Sequence, residues 1–235
     1  MAHVKVGIIG AMDSEVAMLK SRVEGATSRE VAGLEFVEGT IAGVDVAVVR
    51  CGIGKVNAAI CAQTVTTVLG ANRVINTGVA GSLDARIEIG DLVVSTDAVE
   101  HDLDVTPLGY RPGEHPDLHR VAFEADPSLR EAVVAAGREA APDVHVFEGR
   151  VCSGDQFIGS AEAKRRIVDT FGGMCCEMEG AAIAHTCFLA GVPFVVVRAI
   201  SDKADDSGSV DYPTFEKAAA EHCAGIVLAA LPHIG

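Results

Sequence analysis

The chain has 235 residues, 49% of them hydrophobic, and a formal net charge of -14 at pH 7. This length and apolar content suffice for a large core, so we expect one domain over residues 1–235. The acidic balance argues against a nucleic-acid partner, because proteins that bind phosphate backbones carry clustered Lys and Arg. The N terminus lacks a signal-peptide pattern and no apolar run reaches the length of a membrane span, so no membrane partner is expected.

The seven cysteines are odd in number, form no C-x-x-C pair and mostly lie inside apolar segments. This pattern is typical of reduced core residues and not of a disulfide framework. The cytoplasm is therefore the expected compartment.

Strand-like and helical segments alternate along the chain, which predicts an α/β fold with a mainly parallel sheet. The predicted strands cover residues 4–9, 34–41, 44–51, 73–77, 91–99, 144–152, 174–179 and 195–202. The second and third of these form a hairpin around Ala42-Gly43, so the sheet is expected to be mixed. The predicted helices cover about 14–23, 55–69, 127–140, 161–171, the segment from 180 onward, and 213–231. Ser160 is the expected N-cap of the helix at 161–171.

Residues 100–127 interrupt this alternation. Five residues there oppose regular structure, namely Pro107, Pro112, Gly113, Pro116 and Pro127. A segment of this length without regular elements is typical of a functional loop or an interface.

Charged side chains follow the buried strands at three places. The apolar run 195–197 leads into Arg198, Ser201 and Asp202, Glu179 follows the strand at 174–179, and Glu15 follows the first strand. Open α/β sheets bind ligands at the carboxyl ends of their strands, so these carboxylates are expected to converge on one pocket. Each also has a purely structural interpretation, because acids are favourable in the first turn of a helix or as helix caps.

Neither the glycines nor the histidines form a complete cofactor or metal motif. Residues 52–57 contain only the first half of G-x-G-x-x-G, and Lys55 is followed by Val where a P-loop has Ser or Thr. These glycines predict a tight turn, or a place where the backbone approaches a ligand. His101, Asp102 and Asp104 suggest a metal site, but no second His lies at ligand spacing, so no metal is expected.

Six segments, taken together and in order, resemble a known family, whereas no single motif is specific enough to do so. They are GAMDSE (10–15), GIGKV (52–56), NTGVAG (76–81), SGDQFI (153–158), EMEGA (177–181) and RAISD (198–202). In this order they resemble the bacterial 5'-methylthioadenosine/S-adenosylhomocysteine nucleosidases, and the resemblance spans about residues 4–232. It implies a three-layer α/β/α fold of the nucleoside phosphorylase type. It also implies hydrolysis of an N-ribosidic bond with release of adenine, no metal or organic cofactor, and a homodimer.

The resemblance also implies roles for individual residues. Asp202 is expected to protonate adenine N7, with Ser201 orienting it, and Glu15 to activate the attacking water. Glu179 is expected to hold the ribose 2' and 3' hydroxyls, and Met178 to pack beneath the sugar.

The remaining site residues are expected around these groups. Arg198 would lie beside the water and the glutamates, Phe157 would stack on adenine, and the backbone of Ile158 would read its Watson-Crick edge. The rest of the cavity would be lined by Ile53, Met12, Val79 and Tyr212. A neighbouring subunit would complete the 5' pocket through Val105, Leu108, Tyr110 and Pro116. Leu108 stands where the family often has an aromatic residue.

Three alternatives remain open at this point. Nucleoside phosphorylases share the fold, but their loop carries phosphate-binding Arg and Ser where this chain has Asn76 and Val79, which favours water as the nucleophile. Some relatives hydrolyse 6-amino-6-deoxyfutalosine, and Val79, Gln156 and Gly180 resemble the variants found among them. A nucleoside-binding module without turnover is a third possibility, although it would not need both an acid and a base.

Overall fold

The computed structural model describes residues 3–234. Its strands are β1 (Lys5–Gly10), β2 (Glu24–Val31), β3 (Leu34–Ile41), β4 (Val44–Arg50), β5 (Arg73–Ser82), β6 (Leu92–Glu100), β7 (Ala122–Glu124), β8 (Val146–Ser153), β9 (Cys175–Glu177) and β10 (Phe194–Asp202). Its helices are α1 (Asp13–Ser21), α2 (Lys55–Thr67), α3 (Pro127–Ala140), α4 (Ala161–Phe171), α5 (Gly180–Ala190) and α6 (Gly208–Ala230). None of these helices combines the length and the apolarity that crossing a bilayer demands.

The ten strands within residues 3–234 belong to one mixed sheet. Nine follow the order β10-β6-β8-β9-β5-β1-β4-β3-β2, and β7 pairs with β6. β10 also pairs with β5, so five strands close into a ring from which β1 to β4 extend as an open sheet. β1, β4, β5 and β10 run parallel to one another, which brings their carboxyl ends to the same edge.

Helices cover both faces of this sheet, so the fold has the three layers expected. Apolar side chains of α2 and α5 pack on one face, and those of α1, α3 and α6 on the other. The central strands are buried on both faces, as parallel strands between two helical layers must be. All seven cysteines are buried and unpaired, as predicted.

The element boundaries were predicted well where apolar residues mark them. α3 and α4 have the predicted bounds, and the Ser160 hydroxyl accepts a hydrogen bond from the Ala163 amide as the N-cap of α4. β2 was missed, because it is an edge strand whose side chains are almost all exposed and show no apolar alternation. The first helix was predicted to reach Val23, but it ends at Ser21.

The last helix begins earlier than predicted. Proline favours the first turn of a helix, which placed the predicted start at 213. Instead α6 begins at Gly208 and Pro213 lies in its second turn. The irregular segment 100–127 is confirmed, except for one helical turn at Thr106–Leu108 and the short strand β7.

Candidate active site

A cavity of about 570 Å³ lies at the carboxyl edge of the parallel strands. Ten of the predicted site residues line it: Met12, Glu15, Ile53, Val79, Phe157, Met178, Glu179, Ser201, Asp202 and Tyr212. Most of the wall is apolar, and four carboxylates interrupt it, from Glu15, Glu177, Glu179 and Asp202. This composition suits a ligand with a large flat apolar part and a few polar groups.

Glu15 is held at the start of α1 by three backbone amides. Its Oε2 accepts hydrogen bonds from the amides of Ala11 (2.6 Å) and Met12 (3.0 Å), and its Oε1 accepts one from Val79 (3.0 Å). Glu15 is the third residue of α1 and Met12 is its N-cap. The hydrogen bond from the Met12 amide to the Glu15 side chain is therefore one of the two bonds of a capping box. Burial raises the pKa of Glu15, while the charge of Arg198 and these amides oppose the rise.

Glu179 reaches the cavity by a route that the sequence did not predict. We expected a strand parallel to its neighbours to bring it to the common edge, but β9 is parallel to β8 and antiparallel to β5, where it pairs with Gly81 and Ser82. Glu179 Oε1 accepts a hydrogen bond of 2.8 Å from the amide of Gly54, which has a positive φ of 98°.

Glu177 lines the cavity and forms a buried ion pair with Arg198, which lies behind the cavity wall. Glu177 also accepts hydrogen bonds from Ser153 and from the amide of Gly180 at the start of α5. Burial favours the neutral acid, but Arg198 and these donors lower the pKa of Glu177. Arg198 lies 3.9 Å from Glu179, so most of its charge is balanced by Glu177.

Unlike Glu177, which pairs directly with Arg198, Glu179 lies 3.9 Å from this cation. Burial raises the pKa of Glu179 to about 8, and the negative charge of Glu177 adds to the rise. The two glutamates are two residues apart in sequence, yet their environments shift their pKa values in opposite directions.

Asp202 ends β10 and faces the cavity. Its Oδ1 accepts a hydrogen bond of 2.8 Å from the Ala204 amide, and the Ser201 hydroxyl donates to its Oδ2 over 2.9 Å. The structure thus places Ser201 where it can orient the carboxyl group. Burial raises the pKa of Asp202. A carboxyl group with a raised pKa retains a proton at higher pH and can donate it.

The aromatic wall of the cavity consists of Phe157 and Tyr212. Their rings meet edge to face, with centroids 5.6 Å apart and planes at 77°. The Tyr212 hydroxyl lies 3.3 Å from the sulfur of Met12, which ties this wall to the first turn of α1. Phe157 is 52% exposed, so its ring is available to stack on a planar ligand.

Several predicted residues lie elsewhere. Ile158 lines a small recess of about 40 Å³ next to the cavity, together with Phe157 and Asp202. Arg198 is 1% exposed and lies behind the carboxylates instead of on the cavity surface. The four residues expected from a partner subunit, Val105, Leu108, Tyr110 and Pro116, lie in the segment 100–127, outside the cavity wall of their own chain.

The position of Asn76 differs from the prediction. We expected it at the edge where a phosphorylase would hold phosphate. It is fully buried, donates a hydrogen bond to the Ile9 carbonyl and accepts one from Arg198 over 2.6 Å. Asn76 therefore supports Arg198 from behind, because its side chain lies inside the sheet layer and does not reach the cavity.

Sequence reasoning gave no role to Glu177, Ser153, Ser209 or Pro213. Ser209 and Pro213 line the cavity from α6, and Ser209 was missed because the helix was expected to start later, at 213. Glu177 lay inside a recognised motif, and an arginine within a buried strand, such as Arg198 in β10, predicts a buried acid partner. A buried arginine predicts that an acidic partner exists, but it does not predict where in the sequence that partner lies.

Comparison with known proteins places this site in a family. Residues 5–232 match the model of the phosphorylase superfamily. The chain is 42% identical over 234 residues to 5'-methylthioadenosine/S-adenosylhomocysteine nucleosidase of Shewanella halifaxensis, covering 98% of this chain and 100% of that protein.

Solved structures agree with this match. The nucleosidase of the same name from Neisseria meningitidis, in complex with methylthio-immucillin-A, is 36% identical with a TM-score of 0.93, over 96% of this chain and 97% of that one. Futalosine hydrolase of Helicobacter pylori is 31% identical with a TM-score of 0.92, over 98% of both chains. The fold and the site thus define a phosphorylase-superfamily protein. Within that superfamily, the chain belongs to the 5'-methylthioadenosine/S-adenosylhomocysteine nucleosidase family.

Proposed function

We propose that this chain hydrolyses the N-ribosidic bond of 5'-methylthioadenosine and S-adenosylhomocysteine and releases adenine. The observation that carries this proposal is the set of three carboxylates, Glu15, Glu179 and Asp202, around one mostly apolar cavity. Cleavage of this bond leaves positive charge on the sugar and negative charge on the departing base. It therefore needs an acid at the base and a carboxylate that activates water.

Asp202 is the proposed acid. Its raised pKa and the orienting bond from Ser201 suit a carboxylic acid that gives its proton to adenine N7 as the bond breaks. Phe157 is exposed beside it for stacking on the base, and the Ile158 backbone lies in the adjoining recess where the edge of the base would be read.

Glu15 is the proposed base, and Glu179 the ligand of the ribose hydroxyls. Three amides and the positive charge of Arg198 favour the ionised form of Glu15, which a proton acceptor requires. Met178 lines the cavity next to Glu179 and would pack beneath the sugar. Arg198 acts through these carboxylates, since it is buried behind them.

Water is the proposed nucleophile. A phosphate dianion beside Glu15 would be repelled, and the nearest cation, Arg198, is already paired with Glu177. The products in concentrated phosphate buffer should therefore be adenine and the free sugar. Substantial sugar 1-phosphate in the phosphorus NMR spectrum would show that the chain is a phosphorylase.

A second substrate has support from the comparisons. The futalosine hydrolase has nearly the same fold and comparable identity to this chain. Hydrolysis of 6-amino-6-deoxyfutalosine would use the same acid and base. Side-by-side kcat/KM values for methylthioadenosine, adenosylhomocysteine and aminodeoxyfutalosine decide between the substrates, and the absence of any adenine release would favour a binding module.

We further propose that the enzyme is a cytoplasmic homodimer. Leu108 is 76% exposed in the segment 100–127, and Ile53 is 54% exposed at the cavity, which suits apolar contacts from a second copy. In that dimer Val105, Leu108, Tyr110 and Pro116 would complete the partner's 5' pocket. Seven unpaired, buried thiols fit a reducing compartment.

A further inference from the structure

A second group of ligand-type side chains lies at the carboxyl end of β6, apart from the cavity wall. We call Glu100, His115 and His185 the histidine cluster. Glu100 is the last residue of β6, His115 lies in the segment 100–127 and His185 comes from α5. One potential ligand atom from each lies within 4.8 Å of the other two. Three separate parts of the chain thus meet at one point.

Two of the three spacings between these atoms match those around a tetrahedral metal ion. Glu100 Oε1 is 3.4 Å from His115 Nε2 and 3.4 Å from His185 Nδ1. Ligands about 2.0–2.1 Å from a tetrahedral zinc ion are about 3.4 Å apart. Two imidazole nitrogens and one carboxylate oxygen are a donor set that zinc accepts, with a fourth position left for water or another ligand.

The contacts of His115 point to a missing partner. Its Nε2 atom is buried, and it makes no hydrogen bond within the described residues although the Glu100 carboxylate is close. A buried ring nitrogen without a partner is costly. Phe123 stacks on His185 at a centroid distance of 4.6 Å and meets His115 edge-on at 5.4 Å, forming an apolar wall beside the nitrogens.

Lys55 orients the carboxylate of the histidine cluster. Its Nζ atom lies 2.8 Å from Glu100 Oε2 and 2.6 Å from Asp102 Oδ1, so the other oxygen of Glu100 faces the histidines. Asp102 offsets the charge of Lys55, which limits its repulsion of a bound cation.

We propose that the histidine cluster binds a divalent transition metal of the zinc type. The ion would fasten the irregular segment 100–127 to β6 and α5. Because the ligands come from three parts of the chain that meet only after folding, metal binding should stabilise the folded state. This site uses none of the residues placed in the nucleosidase cavity, so it stands independently of the proposed function.

The test uses the full-length chain, stripped with a chelator and titrated with Zn²⁺ against a chromophoric competitor. We expect one tightly bound ion per chain. His115→Leu should weaken Zn²⁺ binding by more than the roughly 10–100-fold typical of a lost outer-shell contact, because it removes a ligand itself. His119→Gln is the matched control, since this histidine is exposed in the same segment, and it should bind as the unaltered chain does.

Two measurements keep the outcome decisive if a variant folds poorly. Co²⁺ added to the unaltered chain should give the intense visible absorption of a tetrahedral site, and Zn²⁺ should raise its Tm. A weak octahedral spectrum, or binding that is no tighter in the unaltered chain than in His115→Leu, would overturn the proposal.

Discussion

Three carboxylates of one cavity differ in their hydrogen-bond partners, and the proposed division of work among them follows from those differences. Glu15 accepts three backbone hydrogen bonds, Asp202 is tied to Ser201 and Ala204, and Glu179 accepts a single bond from Gly54. Backbone donors fix a carboxylate in place and favour its ionised form. These contacts make each role separately testable.

Glu15→Gln should lower kcat by roughly two to four orders of magnitude, the usual size of a lost general acid or base. Glutamine keeps one carbonyl oxygen, which can still accept the amides of Ala11 and Met12 while the bond from Val79 is lost, so the fold should persist. Adenine release is the readout, and the exposed Glu35→Gln is the control. Near-normal kcat in Glu15→Gln would mean that another group activates the water.

Asp202→Asn should nearly abolish hydrolysis of adenosine substrates, because the amide can bond to N7 but cannot give it a proton. The defect should shrink for a nitrophenyl riboside, whose leaving group departs as a stable anion. The ratio of the two losses is the measured quantity. If both substrates lose the same factor, Asp202 acts by shaping the pocket or by capping the chain that follows it.

Glu179 should make the stability of the free chain depend on pH. Its folded pKa, about 8, lies above the unfolded value near 4.5. Between these values the unfolded chain releases a proton that the folded chain keeps, so the free energy of unfolding falls as pH rises. The substitution Glu179→Gln should remove this contribution to the pH dependence of the free energy of unfolding. As pH rises toward 8, the variant should therefore become progressively more stable relative to the unaltered chain. Urea unfolding across this range measures the difference, and a constant difference would contradict the shifted pKa.

At the scale of elements, β5 lets α1 and β10 approach each other. A Cβ atom at Gly78 would overlap the Glu15 carboxylate and lie 2.6 Å from the nearest guanidinium nitrogen of Arg198. Only glycine leaves room for both side chains at this strand position. The strand thus sets the distance between the proposed base and the buried ion pair.

Gly78→Ala should therefore lower kcat by about 100-fold or more, because misplacement of a catalytic group by about 1 Å has that effect. Steady-state adenine release is the assay. Gly225→Ala is the matched control, since an added Cβ there has no neighbour within 4 Å. Equal kcat values in the two variants would show that the carboxylate adjusts without loss.

At the scale of the molecule, an exposed apolar strip of α2 adjoins the cavity. Val56 is 69% exposed and Ile60 is 47% exposed, one turn apart on this helix, and Ile53 continues the strip into the cavity wall. A second copy that covers α2 would lie at the mouth of the site. The 5' group of the substrate would then meet both subunits.

Ile60→Asp should give monomers, and KM should rise more for adenosylhomocysteine than for methylthioadenosine because the former carries the larger 5' group. Sedimentation velocity and steady-state kinetics provide the two readouts. Val68→Asp, at the far end of α2, is the control. An unchanged KM ratio in a proven monomer would mean that one chain builds the whole pocket.

Much of the fold and most of the cavity follow from the sequence. Buried strands and amphipathic helices carry periodic apolar residues, which located α3, α4 and the hairpin of β3 and β4. The ordered motifs located nine cavity residues, and the family resemblance added Tyr212. The sequence did not predict the edge strand β2, because its exposed side chains show no apolar periodicity. It also did not predict the correct start of α6, because a proline is compatible with more than one position in a helix.

The sequence by itself determined the class of fold, the reduced cysteines and the three carboxylates, since local pattern and motif order encode them. Only the tertiary structure decided that Glu177 pairs with Arg198, that Asn76 lies behind the site, and that β9 runs antiparallel to β5. It also brought Glu100, His115 and His185 together from distant parts of the chain. Such contacts depend on how strands pair and helices pack, and local sequence spacing does not record that pairing.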